Sequence, residues 1–140
     1  MASVSTEHDR LIITFGYGNR SSYDDFFSYL EKFKVVCVID IRLKPRAWSR
    51  RWYGKQIKEA CDSKKIMYVS RPSLGNTSGK SNWIPPNSEE ADETLLEISK
   101  IAQTGTILLL CAELDSSHCH RTKVAHELQK LVNTPIEHVK

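Results

Sequence analysis

Four short apolar runs, at residues 11–15, 35–41, 66–69 and 106–111, divide the chain, and between them apolar residues recur at helical spacing. The runs have strand length and are rich in Val, Ile and Leu, the texture of strands buried on both faces. Phe26, Phe27, Leu30 and Phe33 mark one face of a first helix, with Ser22 as its N-cap and Asp25 three residues on. Ile57, Ala60 and Cys61 mark a second. Asn87 with Glu90 opens a third, whose inner face is Leu95, Ile98, Ile101 and Ala102 and which Gly105 ends. Val124, Ala125, Leu128, Leu131 and Val132 mark the fourth, and residues 136–139, after Pro135, read as a short fifth strand. Strands alternating with helices predict an α/β fold: a single-domain three-layer sandwich with a mainly parallel sheet of four to five strands. Residues 1–140 read as one domain with a flexible N-terminus over 1–10. The connection at 70–87 is long for a compact domain, the mark of a functional or mobile loop.

In a parallel sheet, ligands bind beyond the carboxyl ends of the strands. Those ends carry Gly16-Tyr17-Gly18-Asn19-Arg20-Ser21, then Asp40-Ile41-Arg42 with Arg46, then Gly75-Asn76, then Cys111 leading to Arg121. Four unusual loops are thus expected to meet at one ligand site. The glycine turn lacks the third glycine of a dinucleotide fingerprint, so it reads as a tight turn whose amides could still hold a phosphate. Asp40 reads as the carboxylate that orients Arg42. Cys119 stands at a predicted helix start beside His118, His120 and Arg121, where helix amides and cations favour a reactive thiolate. Cys119, His120 and Glu113 are therefore the candidate catalytic residues. Neither Cys111 nor Cys119 has an arginine after five intervening residues, the spacing a cysteine-phosphatase loop requires. Cys111, His118, Cys119 and His120 lack a C-x-x-C pair, so no metal site is expected. A Cys111–Cys119 disulfide is conceivable across the loop, but the expected compartment disfavours it.

Composition changes the picture in one place. The chain has 140 residues and a formal net charge of +3, with no apolar run of the roughly 20 residues a membrane span needs. Its polar start, which contains acid, resembles no leader, and a cytoplasmic protein with no membrane partner is the expectation. From Arg42 to Lys58 there is no acid at all, while Arg42, Lys44, Arg46, Arg50, Arg51, Lys55 and Lys58 are all basic. Trp48 and Trp52 lie among them as candidate stacking platforms, with Arg50 and Arg51 as phosphate contacts, the pattern of a nucleic-acid surface.

The motifs Phe15-Gly16-Tyr17-Gly18-Asn19-Arg20-Ser21, Asp40-Ile41-Arg42 followed by Pro45-Arg46, Leu74-Gly75-Asn76, and Leu110-Cys111-Ala112-Glu113 leading to Cys119-His120-Arg121 occur in that order. In this the chain resembles the domain-of-unknown-function 488 family (DUF488) over nearly its whole length. The resemblance implies an α/β cytoplasmic domain and names no reaction or cofactor. Two readings of function remain. One is an enzyme or binder of a phosphate-bearing ligand, nucleotide or nucleic acid, at the strand ends. The other is a non-catalytic nucleic-acid-binding or adaptor module that uses residues 42–58. Oligomeric state is not indicated.

Overall fold

The computed structural model describes residues 10–18, 20–47, 49–80, 82–112 and 120–139. Among them five strands, β1 (Ile12–Gly16), β2 (Val35–Asp40), β3 (Met67–Ser70), β4 (Thr106–Cys111) and β5 (Ile136–His138), alternate with four helices. The helices are α1 (Asp24–Lys32), α2 (Gly54–Ser63), α3 (Ser88–Ala102) and α4 (Arg121–Val132). The expected flexibility of the first nine residues lies outside the described residues.

The strands form one sheet in the order β3-β2-β4-β1-β5, and each adjacent pair is parallel. The α/β three-layer architecture expected of the sequence is the one observed. From β1 the chain steps outward to β2 and β3, then returns to β4 between β2 and β1, and ends beyond β1. Crossovers of one hand therefore put the outward and returning helices on opposite faces. Phe26 and Leu30 of α1 and Ile57 and Cys61 of α2 are buried with Ile13, Phe15, Val38, Leu108 and Leu110. Leu95 and Ile98 of α3 and Val124, Ala125 and Leu128 of α4 are buried with Ile12, Ile39, Ile107 and Leu109. The period-2 alternation of each strand thus feeds both layers. Each large side chain so covered contributes about 1.5–3 kcal/mol.

Local departures have local causes. α1 starts at Asp24 rather than directly after Ser22, although the Ser22 hydroxyl still accepts from the Asp24 amide at 3.3 Å. Asn87 caps α3 as expected, its side chain accepting from the Glu90 amide at 2.9 Å. Leu131 is exposed, because Val132 continues the inward stripe of α4 four residues beyond Leu128. β3 and β5 are the sheet's edges, and Met67 of β3 is exposed.

Candidate functional site

Parallel pairing aligns the carboxyl ends. Gly16 lies opposite Cys111, and Asp40 opposite both Leu110 and Ser70. The loops after β1, β2, β3 and β4 therefore leave from one edge. The loop after β4 leads to the face opposite that reached from its neighbours β1 and β2, the arrangement that opens a crevice in such sheets.

At the end of β2, residues two apart in extended chain point the same way, and Arg42 folds back on Asp40. Its Nε and Nη2 donate to the two carboxylate oxygens at 2.8 and 2.6 Å, and its backbone amide to Oδ1 at 3.2 Å. The Tyr68 hydroxyl donates to the same carboxylate at 2.5 Å. Burial, then the charge of Asp40, pushes the Tyr68 phenol well above its ordinary range. Asp40 is fully buried, so four donors replace its water, as a buried carboxylate requires. The remaining arm of Arg42, Nη1, donates to the Arg46 and Trp52 carbonyls at 3.2 and 2.7 Å. Asp40 orients Arg42 as the sequence suggested, and the guanidinium ties the basic loop to the sheet.

The glycine turn is likewise engaged by the protein itself. The Tyr17 and Gly18 amides donate to the Cys111 and Ala112 carbonyls at 3.1 and 2.8 Å, and the Arg20 amide to the Tyr17 carbonyl at 2.9 Å. Gly18 has φ +52°, where a side chain is strained. The expectation that the turn cradles a phosphate is corrected for three of its amides: those of Tyr17 and Gly18 zip the turn onto the end of β4, and that of Arg20 closes the turn on itself. Arg20 donates from Nε to the Gly16 carbonyl at 3.1 Å and pairs with Asp25. Ser21 is exposed beside it, and Asn19 lies outside the described residues.

Trp52 is corrected in the same way. It is 1% exposed and stacks on Tyr17 with ring centroids 5.1 Å apart, amid Phe15, Tyr23 and Phe26. Its Nε1 donates to the Arg20 carbonyl at 3.0 Å. A ring enclosed on this scale has no face for a base, because aromatic packing in the core won it first. Trp48 lies outside the described residues.

The loop after β3 is ordered by its own polar groups. Asn76 accepts from the Ser78 and Ile84 amides at 3.1 and 2.9 Å and donates to the Lys80 carbonyl at 2.8 Å. Trp83 donates to the Gly75 carbonyl at 3.0 Å. A Cβ on Gly75 would meet Leu43 at 2.5 Å, so that glycine is required by close approach. The length of this loop reflects a self-bonded turn rather than an open binding arm.

Around β4, Cys111 is disulfide-bonded, while Cys37 and Cys61 are free. A disulfide at Cys111 is what the expected compartment had disfavoured. Arg121, the first residue of α4, is 0% exposed, and its Nη1 donates to the Cys111 sulfur at 3.0 Å. The His120 ring lies 3.1 Å through Nε2 from the Ile41 carbonyl, and burial holds its pKa below the ordinary value despite the Ile41 and Leu74 carbonyls. His120 thus joins the start of α4 to two neighbouring loops. Glu113, His118 and Cys119 lie outside the described residues, so the catalytic and zinc readings that use them do as well.

A family model described as Domain of unknown function DUF488 matches residues 22–128. The chain belongs to the DUF488 family. No curated protein and no solved structure matches it. The matched span of this DUF488 chain holds the Asp40–Arg42–Tyr68 network, the Gly75–Asn76 turn and the Cys111–Arg121 contact, and leaves β1 and β5 outside.

Two features of the DUF488 domain lie beyond the strand-end motifs. Lys44, Arg46, Arg50, Arg51 and Lys55 are exposed and form no ion pair among the described residues, whereas Lys58 pairs with Asp62. On the other face, Trp83, Ala91 and Leu95 with Lys123, His126 and Glu127 line a groove of about 520 Å³ between α3 and α4. The sequence reading missed this groove and the role of Tyr68, since both join segments far apart in the chain.

Proposed function

We propose that this protein binds the phosphate backbone of nucleic acid through Lys44, Arg46, Arg50, Arg51 and Lys55. The observation that carries the reading is the exposure of these five cations, without acidic partners among the described residues, on a loop held at both ends and, for Lys55, on the first turn of α2 that follows it. Arg42 fixes the Arg46 and Trp52 carbonyls, and the Gly54 amide donates to the Pro45 carbonyl at 2.8 Å. Tyr23 donates its hydroxyl to the Arg51 carbonyl. A loop ordered beforehand loses less entropy on binding, so its charges act at lower cost. With Trp52 enclosed, contact is to phosphates more than bases, which gives binding that is salt-dependent and tolerant of sequence.

The test is titration of a short duplex at several salt concentrations. Each phosphate contact contributes roughly 0.9 to the slope of log K against log salt. Arg50→Ala with Arg51→Ala should reduce that slope by about 1.8 in all if each contacts one phosphate. Charge variants that bind with the parent's slope would defeat the reading.

A further inference from the structure

We propose that the groove between α3 and α4 binds a short apolar peptide by its two charged ends, the ammonium against α3 and the carboxylate against α4. The proposal is independent of the polyanion reading and concerns the opposite layer of the sheet. Each wall is one helical stripe at positions i, i+3, i+4 and i+7, starting at Ser88 on α3 and at Lys123 on α4. The α3 stripe supplies the floor, where Ala91 and Leu95 are 2% and 5% exposed. Trp83, from the loop before α3, adds a half-buried indole, and its Nε1 bond to the Gly75 carbonyl at 3.0 Å fixes the ring in place. The volume of about 520 Å³ falls within the roughly 300–1,000 Å³ of small-ligand sites.

The charges select the occupant. On α4, Glu127 and Lys130 pair with each other at 2.9 Å and so cancel. Lys123 and His126 of the same stripe, and Asp92 on α3, have no hydrogen bond or ion pair among the described residues. One wall therefore presents an uncommitted carboxylate, the other two uncommitted bases, with apolar surface between them. A fatty or aromatic acid would meet the bases but lay its apolar body against Asp92, and an apolar amine would do the reverse; either leaves a charge facing hydrocarbon. A free peptide of two or three residues satisfies both walls. Extended, it spans roughly 7–11 Å, against the roughly 8–10 Å between the axes of packed helices. Its ammonium meets Asp92, its carboxylate meets Lys123 with His126 beside it, and its apolar side chains lie over Trp83, Ala91 and Leu95.

The test titrates the full chain with the dipeptide leucyl-phenylalanine and follows the backbone amide and indole NMR signals. The Trp83 indole and the amides of Ala91 and Leu95 should shift first, and saturably. N-acetylation of the peptide should weaken binding about threefold, the scale of one solvent-accessible ion pair, and C-terminal amidation should do the same. Asp92→Asn should remove the effect of acetylation while keeping that of amidation. Lys123→Gln should shrink the effect of amidation alone. Both side chains are exposed, so neither change threatens the fold. Blocked peptides that bind as well as the free one, blocking effects unchanged in the variants, or no groove shift at the peptide's solubility limit would each overturn the proposal. So would groove shifts produced by raising the protein concentration alone, which would assign the groove to a second copy of this chain.

Discussion

Asp40 receives four hydrogen bonds, from the Arg42 amide, Nε and Nη2 and from the Tyr68 hydroxyl. Removing its charge leaves the Arg42 guanidinium buried opposite a neutral amide. Asp40→Asn should therefore destabilise the fold by about 3–5 kcal/mol, the range for breaking a buried pair on one side, and a urea midpoint would measure it. Tyr68→Phe removes a single donor and should cost about 1–3 kcal/mol. His120 supplies a pH dependence. Burial depresses its folded pKa, so the unfolded chain takes up a proton the folded one resists. The stability from keeping His120 neutral is full above pH about 6.5 and is lost as pH falls below it. Burial shifts His138 the same way. Urea midpoints at pH 7.5 and 5.5 should differ less in His120→Gln than in the parent; an equal difference would remove His120 from this account.

At the scale of elements, the basic loop depends on how closely α2 approaches it. A Cβ on Gly54, the first residue of α2, would lie 2.7 Å from both the Pro45 Cβ and the Tyr68 hydroxyl. Gly54→Ala must displace the loop or the phenol, and either loosens the network around Asp40. The expected cost is about 1–3 kcal/mol, the usual range for overpacking. Duplex affinity should fall as well, with the salt slope kept, because the charges remain but are no longer held in place. A variant with the parent's stability and affinity would show that the loop adjusts freely. β4 illustrates the opposite case. Its six residues are buried, and it pairs with β1 on one side and β2 on the other, so its end is held from both sides at the carboxyl edge.

For the whole molecule, the two layers differ in what they offer a partner. The α1 and α2 side carries the exposed cations at its carboxyl end, and the α3 and α4 side carries the groove between helices. Trp52→Phe should alter stability yet leave the salt slope of duplex binding unchanged, because the ring lies in the core. A slope changed as much as by Arg50→Ala would mean that the core and the charged surface are coupled. The sequence by itself determined the order of strands and helices, the parallel sheet, and the edge at which the unusual loops would gather. Hydrophobic period and turn chemistry are local, and they act the same way wherever the segment ends up. It also identified Asp40 as the partner of Arg42, since those residues are two apart. What only the tertiary structure decided was which polar groups are left over for a ligand. The turn amides of Tyr17 and Gly18 met the carbonyls of Cys111 and Ala112, Trp52 met Tyr17 and Phe26, and Arg121 met the Cys111 sulfur. Each of these pairings joins residues brought together only when the sheet forms, and a buried polar group takes whatever partner the fold delivers.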